Sequence, residues 1–191
     1  MKRPTLQFYF DFLCPYSYIA LELMRRTLDQ KQLEVEYICP GLRTPGVDVD
    51  ERSFWQPDRW GRIAKAAEKL GLTIRPPAPT ANSVLVRRGL RKYAGIGLAE
   101  YIGSVFKGVF TAGVDISKER LLIEFLQSDG ADIKPLEEAL NDSGTALAAA
   151  EDSNLWVTQR LRLLPTFSLS NERYAGMIDA RGLENFLLRY L

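Results

Sequence analysis

The chain has 191 residues, of which 46% are hydrophobic, and its formal net charge is +1. This composition allows one sizeable domain with a packed core, and it favours neither a disordered chain nor a nucleic-acid-binding protein. The sequence contains no histidine and two cysteines, which excludes Ser-His-Asp triads, Cys-His dyads, His-ligated zinc and thiolate metal cages.

The N-terminal segment, MKRPTLQFYFDF, interrupts its apolar run with polar and acidic residues, whereas a secretory signal has a longer apolar stretch. No segment approaches the roughly 20 apolar residues that a membrane span needs. We therefore expect a soluble, cytoplasmic protein without membrane contact, in which cysteines are usually reduced.

A strand, a helix and a second strand are predicted first. Residues 6–12 alternate and are rich in aromatic side chains, which indicates a strand. After Pro15 the apolar residues recur with a helical period, and a proline suits the first turn of a helix. Residues 33–39 form the second predicted strand, closed by Pro40-Gly41. This order predicts a parallel βαβ unit.

The middle of the chain is predicted to be mainly helical. The proline-rich residues 74–82 are an exception and must form a loop, because prolines lack the N–H that a helix needs. Ser117 is a predicted N-cap, and Pro135 is predicted to open a helix. Apolar residues recur with a helical period in four segments, at residues 60–70, 98–110, 118–127 and 146–161.

The C-terminal part returns to strands and closes with a helix. LLPTFSLS and RYAG are predicted strands separated by a turn at Asn171-Glu172. Asp179 is a predicted cap for the last helix, whose apolar residues face inward: Leu183, Phe186, Leu187 and Tyr190. The order βαβ, helical block, ββα is that of an α/β thioredoxin fold with an all-helical insertion. We expect residues 1–43 and 161–191 to form the thioredoxin-like domain and residues 44–160 to form the insertion.

The turn after the first strand, DFLCPYSY, resembles the active-site turn of the DsbA-like superfamily. Within it, the turn is most similar to those of 2-hydroxychromene-2-carboxylate isomerases and kappa-class glutathione transferases. Those two families carry Ser-Pro-Tyr/Phe-Ser where this chain has Cys14-Pro15-Tyr16-Ser17. The disulfide oxidoreductases of the superfamily carry Cys-Pro-x-Cys, so this chain shares only the first cysteine with them.

Three further stretches resemble the isomerase and transferase families, so the resemblance covers nearly the whole chain. They are PPAPTANSVLVRRGL, VFKGVFTAGVDISKERLL and LLPTFSL. The resemblance implies a thioredoxin fold, glutathione as cofactor, a small unsaturated aromatic substrate and, by analogy, a homodimer.

Cys14 is the predicted catalytic residue, supported by Ser17. The N–H groups and dipole at the start of a helix favour a thiolate, and the Ser17 hydroxyl lies one turn further on. A thiolate is the nucleophile of sulfur exchange, but no cysteine at position 17 would resolve a mixed disulfide. The competing interpretation is a buried, inert cysteine.

Cys39, the second cysteine, follows the second predicted strand. It is either a small core residue, which we favour, or a disulfide partner of Cys14, which would require Cα atoms within about 7 Å.

The resemblance also implies a glutathione site. Pro165 is expected to be cis, and the backbone of Leu164 is expected to pair with the extended cofactor. Asn82, in the proline-rich loop, and Asp179, before the last helix, are the other implied contacts. The families usually read Gly-x-Asp-Arg before that helix and this chain reads GMIDAR, so Asp179 is alternatively an N-cap alone.

Two other clusters have simple structural explanations. A basic run is predicted to form a solvated helix face, through Arg87, Arg88, Arg91 and Lys92. A group of tryptophan and arginine residues either borders a pocket for the acceptor substrate or packs the domains together: Trp55, Arg59, Trp60 and Arg62.

Three functions follow from these predictions. The sequence favours a glutathione-dependent isomerase or transferase, in which residue 14 holds the glutathione sulfur as a thiolate. The alternative is a thiol-disulfide oxidoreductase that works with Cys14 alone and uses glutathione as the resolving thiol. The third is a non-catalytic binding domain, for which an apolar or bulky residue would be expected at position 14.

Overall fold

The computed structural model describes residues 5–28, 34–42, 56–170, 172–176 and 179–187, and the structural statements below concern these residues. Its centre is a four-stranded mixed sheet with the strand order β2-β1-β3-β4. The strands are β1 (Thr5–Tyr9), β2 (Glu34–Ile38), β3 (Thr166–Leu169) and β4 (Glu172–Ala175).

The pairing of the strands is that of a thioredoxin fold, as predicted. β1 runs parallel to β2, with Thr5 opposite Glu34. It runs antiparallel to β3, which forms a hairpin with β4. The predicted strand at residues 6–12 is too long, because the chain leaves the sheet after Tyr9 and turns towards the first helix.

Nine α-helices surround the sheet or lie between β2 and β3 within the described ranges. They are α1 (Pro15–Thr27), α2 (Pro57–Glu68), α3 (Val84–Gly89), α4 (Gly95–Lys107), α5 (Glu119–Ser128), α6 (Lys134–Asn141), α7 (Ser143–Glu151), α8 (Leu155–Thr158) and α9 (Ala180–Leu187). A π-helical turn, Gly108–Ala112, extends α4, and a 3-10 turn, Asp152–Asn154, joins α7 to α8. None of these helices is long and apolar enough to cross a membrane.

Two helix predictions need correction. The side chain of Ser117 does not cap α5, because its hydroxyl hydrogen-bonds the Asp115 carboxylate, and Lys118 occupies the N-cap position. The single helix predicted at residues 146–161 is divided, and it ends before Arg160, whose φ of 49° is left-handed.

One aromatic core connects the sheet to the helical block. On the sheet, the ring of Phe8 stacks on Phe167 with centroids 4.9 Å apart. From α1, Tyr18 stacks on Phe106 of α4 at 5.3 Å. Phe106 in turn lies 5.8 Å from Phe10, so α4 packs against the same cluster as the strands. The division at residues 43/44 and 160/161 remains a prediction, but both parts share this core.

The helical block is also attached to the loop that follows β2. Trp156 of α8 donates its indole N–H to the Gly41 carbonyl at 2.8 Å. The buried guanidinium of Arg87, on α3, donates to the Ala149 carbonyl at 2.8 Å and lies 3.5 Å from the Pro40 carbonyl. These contacts fix the loop at the end of β2 against the helices.

The predicted solvated basic face is wrong for two of its four residues. Arg87 is only 5% exposed, and Arg88 donates to the Ala139 and Leu140 carbonyls at the end of α6. Because α3 packs against α6 and α7, these guanidinium groups satisfy carbonyls that the ends of helices leave unpaired. Arg91 and Lys92 are exposed, as predicted.

Candidate functional site

Cys14 occupies the N-cap position of α1, at the end of the turn that follows β1. Its N–H donates to the Asp11 carbonyl at 3.0 Å, and its own carbonyl accepts from the N–H groups of Ser17 and Tyr18. Pro15 begins the helix without loss of a hydrogen bond, since the first N–H groups of a helix have no partner within it. The local sequence therefore directs the thiol to the positive end of the α1 dipole.

The Cys14 side chain is completely enclosed, and part of its cover comes from the opposite end of the chain. Its Sγ donates to the Leu164 carbonyl at 3.5 Å, and the Leu164–Pro165 peptide bond is cis. The Leu164 N–H makes no hydrogen bond with a described residue. Cys14 and the backbone before Pro165 thus lie together, as the resemblance implied.

Burial raises the pKa of the Cys14 thiol to about 11. The hydroxyl and N–H of Ser17 act in the opposite direction, and the nearby Asp11 carboxylate raises the pKa further. Desolvation therefore outweighs the donors at the start of the helix, which favour the thiolate as expected but do not bring the pKa below its ordinary value. With its pKa raised in this way, the Cys14 thiol keeps its proton at neutral pH and can donate a hydrogen bond.

Asp11 is a buried residue of this site that the sequence analysis missed. Its side chain has no exposed area, and four groups donate to its carboxylate. They are the Leu13 N–H at 2.8 Å, the Ser83 hydroxyl at 2.8 Å, the Leu42 N–H at 3.0 Å and the Cys39 thiol at 3.5 Å. We call these five residues the Asp11 junction. The signal was a carboxylate inside the aromatic run FYFDF, where a charge is unfavourable unless it is hydrogen-bonded.

Cys39 is a small core residue, the interpretation favoured from the sequence. It is 3% exposed, and both cysteines are free thiols, so no Cys14–Cys39 bridge is formed. Burial and the Asp11 carboxylate both raise the pKa of Cys39 well above its ordinary value.

Asn82 and Asp179 each accept a local backbone hydrogen bond near the start of a helix, and Ser83 occupies the N-cap position of α3. The Asn82 side-chain oxygen accepts from the Val84 N–H at 3.1 Å, at the start of α3. Asp179 accepts from the Gly182 N–H at 2.6 Å and caps α9. Asn82 directly precedes Ser83 of the junction, so it lies on a segment fixed to Asp11. Neither side chain contacts Cys14 or Ser17 by a hydrogen bond among the described residues.

The β3–β4 hairpin brings the segment before α9 towards Pro165. The Gly176 N–H donates to the Pro165 carbonyl at 2.8 Å. The neighbouring residues Met177 and Ile178, which belong to the implied glutathione segment, lie outside the described residues.

The predicted tryptophan pocket is only partly covered by the structure. Trp55 lies outside the described residues, and Trp60 is half-buried against the core. A cavity of about 980 Å³ lies elsewhere, among residues of α1, β2 and α4 such as Met24, Tyr37 and Ile96. None of the predicted site residues appears among its described lining. The described residues also contain no group of three or more His, Cys, Asp or Glu side chains that could hold a metal ion.

Comparisons with known proteins agree with this fold. The family model of the DSBA-like thioredoxin domain matches residues 5–190. A search of curated proteins gives no match. Among solved structures, a 2-hydroxychromene-2-carboxylate isomerase is 21% identical with a TM-score of 0.78, and the match covers 97% of this chain and 95% of that chain.

Two oxidoreductase structures are similar over comparable lengths. A probable DsbA oxidoreductase from Streptomyces coelicolor is 16% identical with a TM-score of 0.73, covering 98% of this chain and 90% of that chain. The cytosolic disulfide reductase DsbM from Pseudomonas aeruginosa, solved with GSH, is 20% identical with a TM-score of 0.67, covering 97% and 98%. At these identities the similarity shows the fold. With the family match over almost the whole chain, the protein belongs to the DSBA-like thioredoxin domain family.

Proposed function

We propose that the protein is a glutathione-dependent isomerase or transferase that acts on a small unsaturated aromatic molecule. The observation that carries this proposal is a protonated, enclosed Cys14 thiol at a helix N-terminus, with a serine instead of a second cysteine at position 17. A protonated thiol donates a hydrogen bond to an anionic sulfur more readily than it attacks a disulfide. The fold shared with an isomerase supports the proposed reaction, and the fold shared with a disulfide reductase solved with GSH supports glutathione as the cofactor.

The backbone at Leu164 suits an extended peptide such as glutathione. Its N–H has no partner among the described residues, and β3 begins only at Thr166. Peptides commonly pair with free backbone groups of this kind at the edge of a sheet. The Leu164 carbonyl accepts from Cys14, so a bound sulfur anion would replace that carbonyl as the acceptor of the thiol proton.

Asn82 and Asp179 are the proposed contacts for the rest of glutathione. Each uses one side-chain oxygen for a local backbone hydrogen bond, from the N–H groups of Val84 and Gly182. The Asn82 amide NH₂ and the second Asp179 oxygen make no hydrogen bond within the described part of the chain. A neutral donor and a carboxylate would suit the carboxylate and the ammonium ends of the tripeptide.

Glutathione, when bound, supplies a thiolate that adds to a conjugated double bond of the substrate and leaves after rotation, without net oxidation or reduction. The protein stabilises the sulfur anion before and after that addition. The Cys14 thiol, the Ser17 hydroxyl and the start of α1 are the groups that do so. No histidine is required.

A thiol-disulfide oxidoreductase that uses Cys14 alone is the second candidate. The cysteine itself favours it, because the resembling isomerases carry serine there. The Cys14 pKa of about 11 opposes it, since only about one thiol in ten thousand is ionised at pH 7. Cytoplasmic localisation and a homodimer remain predictions under either function.

Calorimetric titration of reduced glutathione into the wild type and Cys14→Ser, under reducing conditions, tests the proposal. We expect saturable binding by both, because a serine hydroxyl can replace the thiol as a donor. With an aromatic hydroxychromene carboxylate as substrate, Cys14→Ser should keep or increase the isomerisation rate. Cys39→Ser is the matched control and should behave as the wild type.

Two outcomes would contradict the proposal. Binding by neither protein would remove glutathione as the cofactor. A folded Cys14→Ser that binds glutathione but neither isomerises the substrate nor exchanges with oxidised glutathione, while the wild type exchanges, would support the oxidoreductase instead.

A further inference from the structure

Asp11 closes the turn that carries Cys14. Its carbonyl accepts from the Cys14 N–H at 3.0 Å, and its carboxylate accepts from the Leu13 N–H at 2.8 Å. Its own N–H lies 3.4 Å from the Ser17 hydroxyl oxygen, the same hydroxyl that favours the Cys14 thiolate. Asp11 therefore fixes both the thiol and its supporting serine.

The Asp11 carboxylate also accepts hydrogen bonds from two segments that are distant in sequence. Leu42 and Cys39 belong to the loop after β2, and Ser83 lies between the proline-rich loop and α3. Ser83 is 4% exposed, so this contact is inside the protein. One carboxylate thus connects the Cys14 turn, the loop after β2 and the segment that carries Asn82.

The buried Arg87 guanidinium acts on the Cys39 thiol, which donates to the Asp11 carboxylate, but it does not itself contact that carboxylate. No ion pair to the carboxylate is formed among the described residues, and its four donors are an alcohol, a thiol and two backbone N–H groups. A buried carboxylate held only by neutral donors is unfavourable by itself, and its charge is weakly screened. Three residues before Cys14, that charge opposes a second negative charge on the sulfur.

We propose that Asp11 is a positioning residue that sets the reactivity of Cys14, by fixing its turn and by placing a buried carboxylate close to the thiol. The charge keeps the Cys14 thiol protonated, so that it can donate a hydrogen bond to a bound anion. This role concerns the thiol itself and holds whichever reaction the site performs.

The test is a pH titration of the full chain labelled with ¹³Cβ-cysteine, in which the NMR shift reports the ionisation of each thiol at equilibrium. Cys14→Ser assigns the two signals. Asp11→Asn keeps the size of the side chain and removes the charge. The midpoint of the Cys14 titration, the pH at which half of the thiol is ionised, should therefore fall by about one pH unit, which gives a tenfold larger thiolate fraction at a given pH. Ser83→Ala keeps the charge and removes one donor that partly neutralises it, so the midpoint should rise.

Ser168→Ala is the matched control, since Ser168 is a similarly buried serine on β3 outside the Asp11 junction. Its Cys14 midpoint should equal that of the wild type. Glutathione and substrate are absent, so failure of the proposed function would leave this result unaffected.

A folded Asp11→Asn with an unchanged Cys14 midpoint would overturn the proposal. A Ser83→Ala midpoint that falls as far as that of Asp11→Asn would overturn it too, because loosening of the turn would then explain both. If Asp11→Asn does not fold, the comparison of Ser83→Ala with Ser168→Ala is the test. A Cys14 midpoint that is higher in Ser83→Ala than in Ser168→Ala supports the role of the charge, and an equal or lower midpoint refutes it.

Discussion

Cys14 and Cys39 are both enclosed, both are free thiols, and burial raises the pKa of both. Their surroundings otherwise differ, although the Asp11 carboxylate raises the pKa of both thiols. Cys14 begins a helix, faces the neutral Leu164 carbonyl and has Ser17 donors that favour its thiolate. Cys39 donates to the Asp11 carboxylate, which disfavours its thiolate. Burial alone therefore does not distinguish a candidate reactive thiol from an inert one; the charges and dipoles around it do.

Replacing each cysteine by alanine tests this difference with the largest expected effect. Cys14→Ala removes a donor to the glutathione sulfur, and loss of one such donor typically costs about 100-fold or more in rate. Cys39→Ala removes one donor to the Asp11 carboxylate but no group that contacts the Cys14 sulfur. It should keep the rate within about threefold, with a loss of stability of about 1 kcal/mol. Initial rates of glutathione-dependent isomerisation, with thermal unfolding of each variant, measure both effects.

Equal loss of activity in two folded alanine variants would contradict the comparison. It would mean that Cys39 also acts in the reaction, or that the Asp11 junction, and not the Cys14 thiol, limits the rate.

The order in which the two thiols ionise gives a smaller but more direct test. In the wild type, Cys14 should ionise with a midpoint near pH 11, and its thiolate fraction should fall about tenfold for each unit by which the pH is lowered below that value. Cys39 should ionise later, because its proton lies on a hydrogen bond to a carboxylate. Removing the charge by Asp11→Asn should lower the Cys39 midpoint more than that of Cys14. The labelled-cysteine titration records both signals, and ionisation of Cys39 before Cys14 in the wild type would contradict the assigned surroundings.

Much of the fold could be predicted because its signals are local. The helical period after Pro15, the turn at Pro40-Gly41 and the cap at Asp179 each depend on a few neighbouring residues, and the structure contains all three. The strand at residues 6–12 was predicted too long for the same reason. Phe10 and Phe12 are as apolar as strand residues, but they pack beyond the end of the sheet, against Phe106.

The electrostatics of the site could not be predicted, because they depend on distant segments. The helix N-terminus at Cys14 is visible in the sequence, whereas its cover comes from Leu164, 150 residues away. Ser83 and Leu42, which donate hydrogen bonds to the Asp11 carboxylate, are likewise remote in sequence. The burial of Arg87 escapes prediction for a related reason, because a basic run has the composition of a solvated face and only the packing of α6 and α7 against α3 buries it. Burial depends on tertiary packing, and it determines that the pKa of Cys14 is raised and not lowered.

The smallest predicted effect concerns Ser17, which acts on one thiol and not on the other. Its hydroxyl and N–H lower the pKa of Cys14, whereas neither is among the groups that affect the pKa of Cys39. Ser17→Ala removes the hydroxyl and leaves the backbone N–H, so the Cys14 midpoint should rise by a few tenths of a pH unit while that of Cys39 stays unchanged. The thiolate fraction at a given pH should then fall by about two- to threefold, a typical effect for one neutral hydrogen bond.

The same labelled-cysteine titration measures the effect of Ser17→Ala, and Ser168→Ala again controls for the loss of a buried serine hydroxyl. A downward shift of the Cys14 midpoint would show that the Ser17 oxygen acts on the thiol as an acceptor and not as a donor. The serine at position 17 would then stabilise the protonated thiol together with Asp11, and the start of α1 would remain the only group of the turn that favours an anion at the sulfur.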